Sequence, residues 1–272
     1  MHMPSWLAAE KFWVDAGIAL IVLAAVAALV SDRIPAARRR ALSGALPLAI
    51  AMLLAGLAIR WQQSGQGPFL TLYEVLVSNL LTLGLFLFLT CVLVPGARAA
   101  AQVALPVLAL FGLWALSTSP EITPLPPTFD NPWLWTHVLA GKLFLGACLV
   151  ATSLALRLFV APTFSRVEEV DIRELDATVW RFASLAFVFE SVMLVAGSAW
   201  ANDAWGRYWG WDPLETWAFL TWLLLGIVLH ARLAWRLPKR LAWVGMCAVF
   251  ALAVLTFFGV PFLSIAPHKG VV

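Results

Sequence analysis

The chain has 272 residues, of which 62% are apolar and only 12% charged, with a mean hydropathy of +0.89. A soluble domain averages about a quarter charged residues, so this composition excludes an ordinary soluble domain and belongs to a protein whose solvent is a bilayer. No nucleic-acid partner is expected from a net charge of +3, and the three cysteines, Cys91, Cys148 and Cys247, sit inside apolar runs, which gives neither a disulfide framework nor a Cys-x-x-Cys site.

A transmembrane helix needs roughly 20 predominantly apolar residues. Such runs lie near 12–30, 42–60, 72–94, 99–116, 133–160, 179–201, 214–235 and 241–263. The expected fold class is therefore all-α, a polytopic membrane protein with about eight transmembrane helices forming one domain over residues 1–272. Arg33 and the run Arg38-Arg39-Arg40 follow the first span, and no basic stretch precedes it. It reads as a retained span rather than a signal peptide.

Lys and Arg gather on the cytoplasmic side of membrane proteins. The first, third, fifth and seventh connectors, with their flanking helix ends, hold thirteen of them, and the opposite side holds four, Lys11, Arg60, Arg207 and Lys269. Both termini are thus expected on the outer face. The Pro-rich 117–132 stretch, the 202–213 connector and the tail after 263 are external in this reading, and the 162–178 connector is an internal, solvated amphipathic turn.

The 202–213 connector is the least ordinary segment. Six of the fifteen tryptophans fall between 200 and 222. A short helix through it would put Trp205, Tyr208, Trp209 and Asp212 on one face, since i, i+3, i+4 and i+7 align. That arrangement makes an aromatic shelf for a large planar ligand. Gly206 and Gly210 would let the ligand approach the backbone. Trp133, Trp135, Trp222 and Trp243 are scattered instead and read as an interfacial aromatic belt.

Of the four histidines, His2 suggests nothing. His137 opens the fifth span and His268 lies in the tail, both on the side of the shelf, so they are candidates for two axial imidazoles on a haem iron. His230 lies in the inner half of the seventh span. An ionisable group within the membrane is a functional candidate by default, against a snorkelling or helix-bonded histidine as the plain alternative. Lys142 and Glu190 also fall inside spans, at depths that would suit an ion pair. Glu74 and Glu215 are nearer the outer ends, where capping or hydration is the cheaper explanation.

The stretch from Trp200 to Phe219, with Trp205-Gly206-Arg207-Tyr208-Trp209-Gly210-Trp211-Asp212-Pro213 at its centre, resembles the tryptophan-rich "WWD" signature of haem-handling proteins. Its Asp-Pro-x-Glu-Thr-Trp-Ala-Phe ending, followed by Leu229-His230-Ala231-Arg232, is most similar to the CcsA (ResC) branch of system II cytochrome c biogenesis. Leu72-Tyr73-Glu74, Asn131 to His137 and His268 also resemble family positions, whereas Gly65-Gln66-Gly67-Pro68 lacks the histidine often found there.

The resemblance implies a subunit of a cytochrome c haem lyase (synthase). His137 and His268 would ligate the iron of external haem b, and Trp205, Trp209, Trp211 and Asp212 would hold the porphyrin. Arg207 would pair with a propionate by charge complementarity. His230 would ligate haem within the membrane, opposite a ligand from a CcsB (ResB)-type partner. The chemistry implied is addition of apocytochrome c thiols, from Cys-x-x-Cys-His, across the haem vinyl groups. The implied location is a bacterial inner membrane, with the haem site facing the periplasm or outside. A haem exporter or chaperone without catalysis, a HemX-like protein of haem biosynthesis, and a transporter using Lys142 and Glu190 remain alternatives.

Overall fold

The structure is a computed structural model that describes residues 5–30, 34–164 and 169–263. Among these residues the regular structure is helical, and eight helices are long and apolar enough to cross a membrane. The chain parts into two compact units, one running to Pro124 and the other starting at Leu125.

The first unit contains α1 (Ser5–Leu29), α2 (Pro35–Arg40), α3 (Leu46–Ser64), α4 (Leu72–Leu93) and α5 (Ala101–Leu116). A π-helical turn, Ala41–Ala45, joins α2 to α3, so the two cross as one span. Apolar side chains gain little by leaving lipid, and membrane helices associate through close van der Waals packing at small residues. Gly17, Gly56 and Gly112 are such residues. A Cβ on Gly56 would come within 2.7 Å of Val14 on α1, and one on Gly112 within 2.9 Å of Ile18. These approaches seat α1 against α3 and α5.

At the end of α3 sits Arg60, expected as an external cation and in fact fully buried. Its Nε donates to Glu74 at 2.8 Å, and Nη1 donates to Glu10 at 3.1 Å. Nη1 and Nη2 also donate to the carbonyls of Pro120 and Glu121. Glu74 in turn completes a capping box on α4 with Thr71, accepting from the Thr71 N–H while its own N–H bonds Thr71 Oγ1. Gln66, standing where the family often has histidine, donates to the Thr123 carbonyl. Three helices and the 117–124 stretch are thereby bonded through one guanidinium.

The second unit contains α6 (Pro132–Phe164), α7 (Glu169–Trp205), α8 (Pro213–Leu233), α9 (Lys239–Val254) and α10 (Val260–Leu263), the last two joined by the π-helical turn Leu255–Gly259. The long antiparallel pair α6 and α7 forms its spine, with α9 against α6 and α8 between α7 and α9. The expected 162–178 connector is largely absorbed into these helices. Asp176, placed there as solvated, is instead buried at 5% exposure. It accepts from the indoles of Trp180 and Trp243 and from Arg232, tying α7, α8 and α9 together. Trp243 is thus a structural donor rather than a belt residue, while Trp133 and Trp135 remain exposed as a belt requires.

Candidate functional site

Helix α7 ends at Trp205 because Gly206 takes a left-handed φ of +72°. The chain then runs without helix to Asp212. The short helix expected through 205–212 is therefore not formed, and the shared face it implied does not exist. Asp212 starts the next helix instead. Its carboxylate accepts from the Glu215 N–H at 3.0 Å, and Glu215 reaches back to the N–H groups of Asp212 and Gly210, the latter at 2.7 Å. This capping box fixes the loop, and Trp211 is held at φ +55°, a conformation rare for a bulky residue.

The aromatic residues still cluster, in two groups. Trp200 meets Phe129 edge-on at 5.2 Å and Trp205 at 5.0 Å, and its indole donates to the Thr128 carbonyl. Asn131 caps α6 through the Trp133 N–H and donates to Asp203, so the 127–131 stretch is bonded to the end of α7. The second group is Trp209, Trp211, Phe219, Trp222 and Phe187, with Phe219 and Phe187 stacked on Trp222. Trp222 donates to Ser191 Oγ, which makes it part of this packing rather than of a belt.

Between these groups lies a cleft of about 150 Å³. His137, Trp200, Tyr208, Trp209, Glu215 and Phe257 are among its lining residues, with Met193 and Gly197 from α7. On the far side of Trp209 a more open groove of about 420 Å³ is lined by Trp211, Phe219 and Trp222. The sequence did not single out Met193, Gly197 or Phe257. A glycine inside an apolar span was the one available signal for Gly197.

His137 is held with some care. Its Nδ1 lies 2.9 Å from the Met193 carbonyl. A carbonyl only accepts, so Nδ1 carries the proton and the neutral ring keeps its lone pair on Nε2. A Cβ on Gly197 would fall 2.6 Å from Nδ1, so only glycine there leaves room for this ring position. Trp209 presents the second notable group. Its indole N–H is buried with no hydrogen-bond partner among the described residues, and such an orphan donor costs about 1–3 kcal/mol.

The other expected site residues are placed apart. Trp205 belongs to the Trp200 group and Trp211 to the open groove. Asp212 is occupied as a helix cap, and Arg207 is exposed with its guanidinium folded over Gly210. His230 is in the last turn of α8, exposed, with Trp235 edge-on at 5.1 Å. Fifteen residues separate it from Glu215 at the cleft, about 22 Å of helix. His268 lies outside the described residues. Glu190 is fully buried and neither carboxylate oxygen has a hydrogen-bond partner among the described residues, so the expected pair with Lys142 is not formed.

Comparison with known proteins defines the class. The sequence profile of the family described as "Cytochrome C assembly protein" matches residues 48–268. The cytochrome c biogenesis protein CcsA of Chlamydomonas reinhardtii is 32% identical over 243 residues, covering 84% of this chain and 68% of that protein. CcsA of Synechococcus sp. (strain CC9902) is 30% identical over 256 residues, covering 80% and 82%. Among solved structures, the cytochrome c heme lyase CcmF has the same fold, with a TM-score of 0.73 at 18% identity. That similarity covers 95% of this chain but only 48% of CcmF, so the chain spans about half of it.

The chain belongs to the CcsA family of cytochrome c assembly proteins. It is an integral membrane protein with a role in cytochrome c maturation, a process that involves haem and apocytochrome c.

Proposed function

We propose that this chain, acting as one unit over residues 1–272, receives haem b and holds it at the outer membrane face for attachment to apocytochrome c. The observation that carries the reading is the His137 imidazole, oriented by the Met193 carbonyl and the Gly197 gap, in a cleft walled by Trp200 and Trp209. Nδ1 bonding to a backbone carbonyl is the usual way a ligating histidine is oriented and made more basic. Flat aromatic walls suit a porphyrin plane, and the unpartnered Trp209 N–H suits an acceptor on the ligand. These features fit haem.

In this reading the 202–213 connector and both termini face the periplasm or outside of a bacterial inner membrane. His137 supplies Nε2 to the iron on one side, and His268 supplies the second imidazole. Trp205 and Trp211 flank the cleft, and Asp212 acts through Glu215 to fix the loop that carries Trp209. Arg207, exposed beside the loop, meets a propionate. His230 serves a separate position in the membrane, with its exposed ring open to a second ligand from a CcsB-type partner. When bound, haem supplies the iron and the two vinyl groups to which the Cys-x-x-Cys-His thiols add. The protein contributes orientation, ligation and an apolar surround that excludes water.

Purifying the chain with a CcsB-type partner and recording its visible spectrum tests this. Six-coordinate bis-imidazole haem is expected in the wild type. It should be lost in His137→Gly and restored by added imidazole. A wild type without haem, or a His137→Gly spectrum identical to wild type, would overturn the assignment. Thioether formation on apocytochrome c then separates a synthase subunit from an exporter, which would deliver haem and leave no covalent product.

A further inference from the structure

The first unit holds a cavity of its own, about 550 Å³, lined among others by Arg38, Arg39, Leu42, Phe88, Val92 and Arg98. Arg38 and Arg39 come from the last turn of α2, and Arg98 from the 3₁₀ turn that follows α4. Arg98 is fixed in place, its Nε donating to the Cys91 carbonyl at 3.0 Å. Neither Arg38 nor Arg39 has an ion-pair partner among the described residues. The described carboxylates of the unit that form ion pairs are engaged elsewhere, Glu10 and Glu74 with Arg60 and Asp15 with Lys11. Three guanidinium groups thus share one cavity, and none of these acids neutralises them.

Part of the lining is apolar. Leu42, Phe88 and Val92 form it, and Val92 continues into Leu89 and Leu85, a row of exposed leucines on the membrane-crossing part of α4. A cationic mouth against an apolar, outward-facing strip is complementary to an amphiphile, with its anion at the arginines and its hydrocarbon along α4. Free anions would use the first half of that surface, and haem would need a broader aromatic wall than the Phe88 ring gives here. The Lys and Arg bias also puts these residues at the inner face, where anionic lipids are met and where basic pockets between helices hold their headgroups.

We infer that the Arg38–Arg39–Arg98 cavity binds the phosphodiester headgroup of an anionic phospholipid, with its acyl chains lying along Val92, Leu89 and Leu85. Guanidinium groups suit this ligand because their paired N–H donors match two phosphate oxygens at once. The inference concerns the first unit only and stands apart from the haem reading.

Native mass spectrometry of the full chain, released from detergent containing equal phosphatidylglycerol and phosphatidylcholine, tests it. The wild type should retain phosphatidylglycerol in clear preference. Each arginine contributes about fivefold, so Arg38→Gln and Arg98→Gln should each lower that retention about fivefold and the double variant about 25-fold. Phosphatidylcholine retention should not change in any of them. Arg40→Gln, which removes a neighbouring charge that does not line the cavity, should behave as wild type. Equal retention of the two lipids by the wild type would overturn the inference, and needs no variant to fold. So would a double variant that keeps its phosphatidylglycerol, or an Arg40→Gln loss equal to that of Arg38→Gln, which would mean diffuse charge attraction. Displacement by inorganic phosphate alone would also overturn it, by showing a free-anion site.

Discussion

Two polar clusters, Arg60 with its partners in the first unit and the cleft in the second, are buried in opposite ways. In the first, the Arg60 guanidinium, two carboxylates and two carbonyls bond to one another, and Arg60, Glu10 and Glu74 have at most 1% of their side chains exposed. In the second, the cleft holds an indole N–H without a partner, and Glu190 lies buried nearby in sequence with neither oxygen bonded among the described residues. Native structures satisfy nearly all buried polar groups, so exceptions call for a cause. The comparison teaches that the Arg60 set serves as scaffold, while the cleft keeps a donor that the described residues do not use. A set that satisfies itself resists change, and an unsatisfied donor is open to a ligand.

The largest test of that contrast is Arg60→Met. It leaves Glu10 and Glu74 buried without their cation and frees the Pro120 and Glu121 carbonyls. Breaking a buried pair from one side costs about 3–5 kcal/mol, so folded protein in the membrane should fall sharply, as read by fluorescence-detected chromatography. Whatever protein survives should keep the wild-type haem spectrum. A stable Arg60→Met protein without haem would make Arg60 functional and remove the contrast. Asp176→Ala probes the second unit's own scaffold. Removing the carboxylate orphans the buried indoles of Trp180 and Trp243, at about 1–3 kcal/mol for each unsatisfied donor. Thermal stability should drop while the external haem spectrum holds.

How much of this was legible in sequence follows the physics of each feature. Hydropathy alone placed the eight spans, because the cost of polar residues in lipid acts on local composition. Both capping boxes were also local. Thr71 and Glu74, like Asp212 and Glu215, are three residues apart, and capping was one of the two roles expected of both glutamates, beside hydration. Burial of Arg60 was not legible, since its partners stand 14, 50, 60 and 61 residues away. The 205–212 helix failed for a local reason that was visible, the glycine at 206, but the glycine was read as ligand access rather than as a helix stop. His137 was singled out, yet its setting was hidden, because Met193 lies 56 residues away and Gly197 looks like any small residue in a span.

Gly197→Ala sharpens the comparison from the side of the cleft. The new methyl would sit 2.6 Å from His137 Nδ1, and the ring or the helix must move. Overpacking of this kind costs about 1–3 kcal/mol, less than the Arg60 lesion. Its signature should be spectroscopic, with haem shifted away from bis-imidazole ligation in protein that still folds. An unchanged spectrum would show that the imidazole is not held where the Gly197 gap places it when haem is bound.

The smallest expected effect is the most discriminating. Trp209→Phe keeps an aromatic wall in the cleft and deletes only the unpartnered indole N–H and part of the ring. If that donor is reserved for a ligand, its removal should have opposite consequences in the two states. The ligand-free protein loses a buried, unsatisfied donor, so its thermal stability should stay level or rise, less whatever packing the smaller ring gives up. The haem complex loses a hydrogen bond worth about 0.5–1.5 kcal/mol, so haem should dissociate up to about tenfold faster. Trp209→His returns a ring N–H without the full indole and should recover part of the affinity. A donor that merely happens to be unbonded predicts something else, with both states changing together as the ring shrinks. Measuring stability and haem release on the same preparation therefore decides whether the second unit's open donor is a ligand contact or an incidental gap in its packing.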